Sequence, residues 1–403
     1  EALDLMDCYG SGNLSRFACM IAGFAISLEI STYAAIVSGQ FAKAHEKLGR
    51  NKPIDWLTKS ELKQPFIENC LNGSFEGKTI HSILLENIGT LDNGILTNLT
   101  SRVSKKLIGF FPFEIDYYDE NLGQRHKLPL LIKSKPLDTE VFKGLHFMAA
   151  AINPELSDLI NEHKEFLEYK NCHVKEISLF NLLKQHSLDF SPKMFGQHND
   201  EKREIHLFIQ EMLLEENLLL YNTENQPGRW ENNHLEKVIA AIAEIHKTFQ
   251  NKNIQANHPE ITVFCPWNAK ALYKKLLTLC FEELQKPAQH KQLNLLLNLV
   301  DGLEQEHGLI QVEKTIIHND FNPRNTAIRN DGSPCFYDWE LSVLNFPQRD
   351  IVEFLCFALE ENFSEEKLFG LLNFHYAFYA DSYSRAQWFK AYTFALKEFL
   401  ITR

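Results

Sequence analysis

The chain has 403 residues and a formal net charge of −12 at pH 7, with 44% hydrophobic and 23% charged residues. That length accommodates two or three domains with sizeable cores, and the composition is that of an ordinary soluble globular protein. The acidic balance excludes a surface built mainly to neutralise nucleic-acid phosphates. The eight cysteines lie scattered, with no Cys-x-x-Cys pair and no His/Cys cluster at zinc spacing, so free buried thiols in a reducing cytoplasm are expected.

The first segment, residues 1–52, places apolar residues at helical spacing through Phe17, Met20, Ile21, Phe24, Ile26, Ile30, Tyr33, Ala34, Ile36 and Val37. Such a helix is apolar nearly all round and needs another surface to cover it. The run Phe17–Leu28, ended by Glu29 and Ser31, falls short of the roughly 20 apolar residues that a bilayer requires, which predicts a core helix and no membrane span. No basic n-region or small-residue cleavage site marks a signal peptide, and a start at Glu1 in place of Met points to residues upstream. The stretch from Leu28-Glu29-Ile30-Ser31 through Ala34-Ala35 and Gly39 to His45 is similar to the C-terminal end of class I hydroxymethylglutaryl-CoA reductases. That resemblance implies a helical reductase tail in which His45 matches the catalytic histidine, the proton donor to the departing CoA thiolate. It implies NADPH only together with a reductase domain upstream, because the reductase's glutamate, lysine, aspartate and cofactor-binding segment have no counterpart in this chain. By spacing alone His45 reads as a surface helix histidine.

Residues 53–78 turn polar, with Pro53, Pro65 and Asn72-Gly73 as turn signals, and read as a linker holding one short helix around Lys59–Cys70. Strand character follows at Lys106–Tyr118 and Leu128–Lys133, separated by a polar loop Asp119–Lys127. Asp138–Asn181 reads as mostly helical and Ile205–Gln210 as another strand. Helices are then expected at Leu235–Phe249, Ala269–Leu284, Leu293–Glu306 and from Ile351 to the end, interrupted by two short strands. A small mixed lobe over 79–213 followed by a larger helical lobe over 214–403 makes an α+β, two-lobed fold.

Those short strands carry the chemistry. Ile316-Ile317-His318-Asn319-Asp320-Phe321-Asn322-Pro323-Arg324-Asn325 is followed by Phe336-Tyr337-Asp338-Trp339-Glu340. A carboxylate, a carboxamide and a second carboxylate thus emerge in order from short apolar runs, the spacing that holds a magnesium nucleotide beside a hydroxyl group. Any one of these residues alone is better read as a turn former; together and in order they point to a kinase site.

The His318-x-Asp320-x-x-x-x-Asn325 run with Asp338 resembles the aminoglycoside phosphotransferase and choline kinase superfamily, over roughly residues 79–403. The resemblance implies a protein-kinase-like fold that moves the γ-phosphate of ATP or GTP to a small-molecule alcohol. Asp320 matches the catalytic base, Asn325 and Asp338 the Mg2+ ligands, His318 a brace of the loop, and Asp350 a structural aspartate. Lys133 matches the phosphate-binding lysine, with Lys135 two residues on as its rival. Glu176 is its implied partner, with Glu165 and Glu168 as alternatives. Phe208–Leu213 matches the hinge, where backbone groups of Glu211 and Met212 would face the adenine edge. Gly89 and Gly94 mark a phosphate-covering loop without a GxGxxG pattern, equally readable as a turn. The chain lacks a glycine after Asp338 and an Ala-Pro-Glu segment, which disfavours a protein kinase. The two resemblances imply a natural fusion, with mevalonate or a related polar metabolite as acceptor. The alternative is a reductase whose kinase-like part is a regulatory or nucleotide-binding module.

Overall fold

The computed structural model describes residues 2–38, 54–71, 73–85, 100, 106–250, 252–284 and 290–403. It divides into two compact units, Glu1–Trp56 and Leu57–Arg403. His45, Gly89 and Gly94 lie outside the described residues.

The first unit is dominated by α1 (Leu14–Val37), 24 residues long. None of its residues is buried, so the expected core helix is instead an exposed one. By length and composition it is long and apolar enough to cross a membrane, with a mean hydropathy of 1.7. Two hydroxyls along it are satisfied by the helix itself. Ser27 Oγ donates to Gly23 O and Thr32 Oγ1 to Leu28 O, both at 2.8 Å.

The second unit opens with α2 (Gln64–Cys70) and a five-stranded sheet. Its strands are β1 (Lys78–Leu85), β2 (Gly109–Asp119), β3 (Gln124–Ser134), β4 (Met194–Asp200) and β5 (Ile205–Glu211), in the spatial order β1-β2-β3-β5-β4 with every pairing antiparallel. The small lobe is therefore mixed in the sense of helix against sheet. Residues 57–75, read from sequence as linker, belong to this core: Leu57, Leu62, Ile67, Cys70, Leu71 and Phe75 pack with Phe113, Ile115, Leu130, Ile132 and Ile209. The loop expected at Asp119–Lys127 tightens to a turn because β3 already begins at Gln124. Ion pairs from Arg125 to Asp116 (2.6 Å) and from Lys127 to Glu114 (2.7 Å) hold the extended hairpin across its face.

Gly196 in β4 sits so close to α2 that a Cβ there would lie 2.0 Å from Cys70 O and 2.7 Å from Leu71 Cα. Backbone cannot yield as a flexible side chain does. Gly196→Ala is therefore expected to cost about 3 kcal/mol or more by overpacking. Thermal unfolding measures it, and a loss under about 0.5 kcal/mol would separate α2 from the sheet.

Helices α3 (Asp138–Ile152), α4 (Pro154–His163) and α5 (Cys172–Gln185) link the sheet to the helical lobe. Leu156, Leu179 and Leu182 join the main core cluster built around α6 (Asn232–Phe249). That lobe also holds β6 (Leu218–Leu220), α7 (Lys270–Leu284) and α8 (His290–His307). The motif region supplies β7 (Thr315–Ile317), β8 (Thr326–Arg329), β9 (Pro334–Phe336) and β10 (Val343–Asn345). Helices α9 (Gln348–Ala358), α10 (Glu365–Ala377) and α11 (Arg385–Thr402) close the chain order. β7 pairs with β10 and β8 with both β6 and β9, so the two motif segments lie on adjacent ribbons.

Candidate active site

β7 is buried throughout and hands its polar residues to the loop beyond it. The loop is fastened from below by Asp350 at the start of α9. Its carboxylate accepts from the His318 N–H (2.7 Å), the Asn319 N–H (2.9 Å) and His246 Nε2 (3.0 Å). Burial pushes that carboxyl up, but the His246 hydrogen bond and the neighbouring imidazoles outweigh it and hold it below the usual range. His318 is buried, packs against Trp339 with the rings tilted at 39° and their centroids 4.4 Å apart, and meets Tyr337 O through Nε2 at 3.0 Å. It braces the loop.

Asp320 projects from this platform with its side chain 17% exposed. Its Oδ2 accepts from Asn325 Nδ2 at 2.7 Å and its Oδ1 from Asn322 Nδ2 at 3.0 Å. Arg324 Nη2 lies 3.4 Å from Oδ2. Asn325 also donates to Asp320 O (2.9 Å), which leaves its Oδ1 as the acceptor atom of the carboxamide. The N–H of Tyr337 donates to Asn325 O at 3.2 Å, so the residue just before Asp338 is bonded to the loop's asparagine. Asp338 itself adopts a left-handed backbone, φ +68°, which turns its carboxylate out of β9. Asn325 and Asp338 thus offer hard oxygen donors of the kind magnesium takes, on neighbouring backbone segments.

Lys133, next to last in β3, reaches both lobes: its Nζ lies 2.8 Å from Glu176 Oε1 on α5 and 3.5 Å from Asp338 Oδ1. Lys135, on the same strand face, gives Glu176 Oε2 a second bond at 2.9 Å and also pairs with Glu340. Both sequence candidates therefore share one glutamate. Burial pulls the Lys135 amine down, but Glu176, Glu340 and Asp338 outweigh it and lift the group well above its ordinary value. Burial likewise opposes ionisation of Asp338, and Lys133 and Lys135 overcome it. Of the alternative glutamates, Glu165 pairs with Lys170 (2.6 Å) and Glu168 with Arg403 (2.5 Å).

Glu176, Asp338 and Glu340 present carboxylate oxygens within 4.8 Å of one another. Both oxygens of Glu176 are engaged by lysines, Glu340 pairs with Lys135, and Asp338 Oδ1 lies 3.5 Å from Lys133. The family resemblance assigns Glu340 no role. Its signal in the sequence is local: a carboxylate two residues after Asp338, matched to a second lysine just past β3.

In the segment that resembles the hinge, Phe208–Leu213, the Glu211 side chain is engaged. Glu211 forms a two-point ion pair with Arg329 of β8, at 2.6 and 2.8 Å. Its N–H donates to Lys193 O (2.8 Å), and the Met212 N–H donates to Pro129 O (3.4 Å). Both amides are thus engaged within the protein, and the Glu211 carboxylate ties the small lobe to the large one.

The phosphotransferase enzyme family matches residues 168–381, and the hydroxymethylglutaryl-coenzyme A reductase family matches residues 1–50. No curated protein matches the chain. Among solved structures, the choline kinase LicA from Streptococcus pneumoniae is 14% identical, with 83% of this chain and 97% of that chain covered and a TM-score of 0.39. The GDP complex of aminoglycoside 2'-phosphotransferase-IIIa is 10% identical, with 84% and 90% covered and a TM-score of 0.46. An ethanolamine kinase from Plasmodium vivax is 13% identical, with 82% and 76% covered and a TM-score of 0.38.

Proposed function

Since the chain belongs to the phosphotransferase enzyme family, we propose that it moves the γ-phosphate of ATP or GTP onto a hydroxyl of a small molecule, with Asp320 as the base. The observation that carries this reading is the convergence around Asp338: Lys133 from the small lobe reaches it at 3.5 Å, while the adjoining Tyr337 is bonded to the loop that holds Asp320. Asp320 orients the acceptor hydroxyl and takes its proton as the oxygen bonds to the γ-phosphorus, while the bond from that phosphorus to the β,γ-bridging oxygen breaks and the nucleoside diphosphate leaves. Its two oxygens are steadied by Asn322 and Asn325, so the carboxylate is set before substrate arrives. Lys133, fixed by Glu176, meets the α- and β-phosphates. Magnesium, held by Asn325 and Asp338, would neutralise charge on the phosphates.

Within the hinge, Glu211 and Met212 flank the base through backbone groups other than their two amides, which the protein already engages. Burial around Lys133 and Glu176 keeps water from competing for their ion pair.

Asp338→Ala is expected to remove magnesium-dependent nucleotide binding, lowering MgATP affinity about a hundredfold by loss of a charged ligand. Isothermal titration with ATP, with and without magnesium, measures it. Unchanged affinity would take the metal role away from Asp338.

For the acceptor we propose mevalonate or a related polar metabolite, supported by the reductase match over residues 1–50 and by nothing in the kinase site. Turnover of MgATP across mevalonate, choline and an aminoglycoside tests it, and no rate with mevalonate above buffer rejects it. The same match supports a second reading, in which a reductase uses NADPH upstream and its histidine is His45, while the kinase-like unit regulates it. A magnesium-ATP thermal shift without any turnover would favour that reading. We place the protein in the cytoplasm, a reading supported by its eight free cysteines.

A further inference from the structure

The residue immediately before Asp320 is gripped from three directions. Asn319 has a left-handed backbone, φ +62°. Its N–H donates to Asp350 Oδ1 (2.9 Å), and its Nδ2 donates to Leu341 O (3.2 Å). Its carbonyl oxygen accepts from Arg403 Nη2 at 2.5 Å.

Arg403 follows α11, 84 positions away in the chain. It also meets carboxylates on two further segments: Nη1 lies 2.5 Å from Glu168 Oε1, before α5, and Nε lies 3.8 Å from Glu353 Oε1, on α9, while Nη1 has a long contact of 3.5 Å to Thr402 O. The Glu168 and Glu353 side chains are 5% and 1% exposed and that of Arg403 is 21% exposed. A planar guanidinium presents its donors in a fixed fork, so a hydrogen bond to Glu168 and the longer ion pair to Glu353 set the direction of the remaining donor. That donor points at one backbone oxygen.

The carbonyl of Asn319 and the N–H of Asp320 belong to a single rigid peptide plane. Fixing the oxygen therefore fixes the rotation at which the chain enters Asp320. A left-handed asparagine is an uncommon state that neighbours must hold, and Asp350 holds only the plane on its N-terminal side. Nothing in a plain helix tie would require the guanidinium to spend a donor on this oxygen.

We infer that Arg403 is a positioning residue for phosphoryl transfer: through Asn319 O it sets the orientation of the Asn319–Asp320 peptide and with it the aim of the Asp320 carboxylate. It touches neither nucleotide nor acceptor. The inference rests on the reading of Asp320 as the base.

The test uses the full chain in three variants. Arg403→Gln combined with Glu168→Gln removes the guanidinium without stranding a buried carboxylate, Glu168→Gln alone keeps the bond to Asn319, and Arg403→Lys restores one donor. Hydrogen exchange read by mass spectrometry over residues 316–325 reports the loop without any substrate, and MgATP turnover reports chemistry. In the double variant exchange over 316–325 is expected to rise about tenfold while the α6 peptide stays protected. Its kcat is expected to fall roughly 10- to 100-fold, the scale of a misplacement of about 1 Å, with KM for ATP within about twofold. Glu168→Gln should leave kcat within about threefold, and Arg403→Lys should recover part of the loss. Unchanged loop exchange in the double variant, or loss of thermal stability with loop exchange and kcat unmoved, would overturn the inference and reduce Arg403 to a tie between helices. Normal turnover in an Asp320→Ala chain would instead remove the base, while the exchange result would still stand on its own.

Discussion

Asp320→Ala is expected to lower phosphoryl transfer about a thousandfold, within the range a positioned general base contributes, while MgATP affinity stays within about twofold. The reason lies in what the side chain touches. Among the described residues its oxygens meet Asn322, Asn325 and Arg324, all from its own loop, and no group of the small lobe. Removing it leaves Lys133, Glu176 and Asp338 in place for the nucleotide. The loop itself is fastened through Asp350 to the backbone of His318 and Asn319, so the fold at this point does not depend on the Asp320 carboxylate. Turnover and nucleotide affinity measured on the same preparation decide the matter. A variant that retains more than about a tenth of the rate would mean that another group takes the proton.

The largest effect on stability is expected from Glu176→Ala, at roughly 4 kcal/mol. Glu176 is wholly buried and faces two cations, one for each oxygen. Deleting a lysine leaves the other against the glutamate. Deleting the glutamate strands Lys133 and Lys135 together at a distance from water, with Asp338 and Glu340 as the carboxylates paired with them among the described residues. Two like charges in low dielectric repel, and neither is solvated. A loss of this size is a large part of what holds an ordinary domain folded. Lys133→Met should cost clearly less, because Lys135 still neutralises Glu176. Urea unfolding of both variants measures the difference, and equal midpoints would contradict the shared-glutamate account.

Much of the site was legible because its chemistry is concentrated in one contiguous run. The identities and spacing of His318, Asp320, Asn325 and Asp338 stand in the chain as they stand in space. The lysine was less so: a strand repeats every two residues, so Lys133 and Lys135 share a face, and only the position of Glu176 shows that both are used. Choosing Glu176 over Glu165 and Glu168 from the sequence needed the family resemblance, since all three are carboxylates in helical surroundings. Strands β1 and β4 escaped notice because polar residues such as His81, Ser82, Gln197 and Asn199 occupy them; what makes them strands is the pairing with β2 and β5. Residues 57–75 read as linker because Pro65 and Asn72-Gly73 outweighed a thin scatter of apolar positions. Those positions matter only once a sheet lies beneath them. The exposed state of α1 could not be read from hydrophobicity, which says that a surface wants cover and not whether it has it.

The left-handed turn at Asp338 also restricts which residues evolution can place there. That backbone conformation admits glycine, asparagine and aspartate readily and charges other side chains a steric penalty. Of the three, aspartate alone is ionised. A descendant of this chain that abandoned catalysis while keeping its shape would therefore drift first to asparagine or glycine at this one position, and related sequences could be sorted into working and retired copies by reading a single letter.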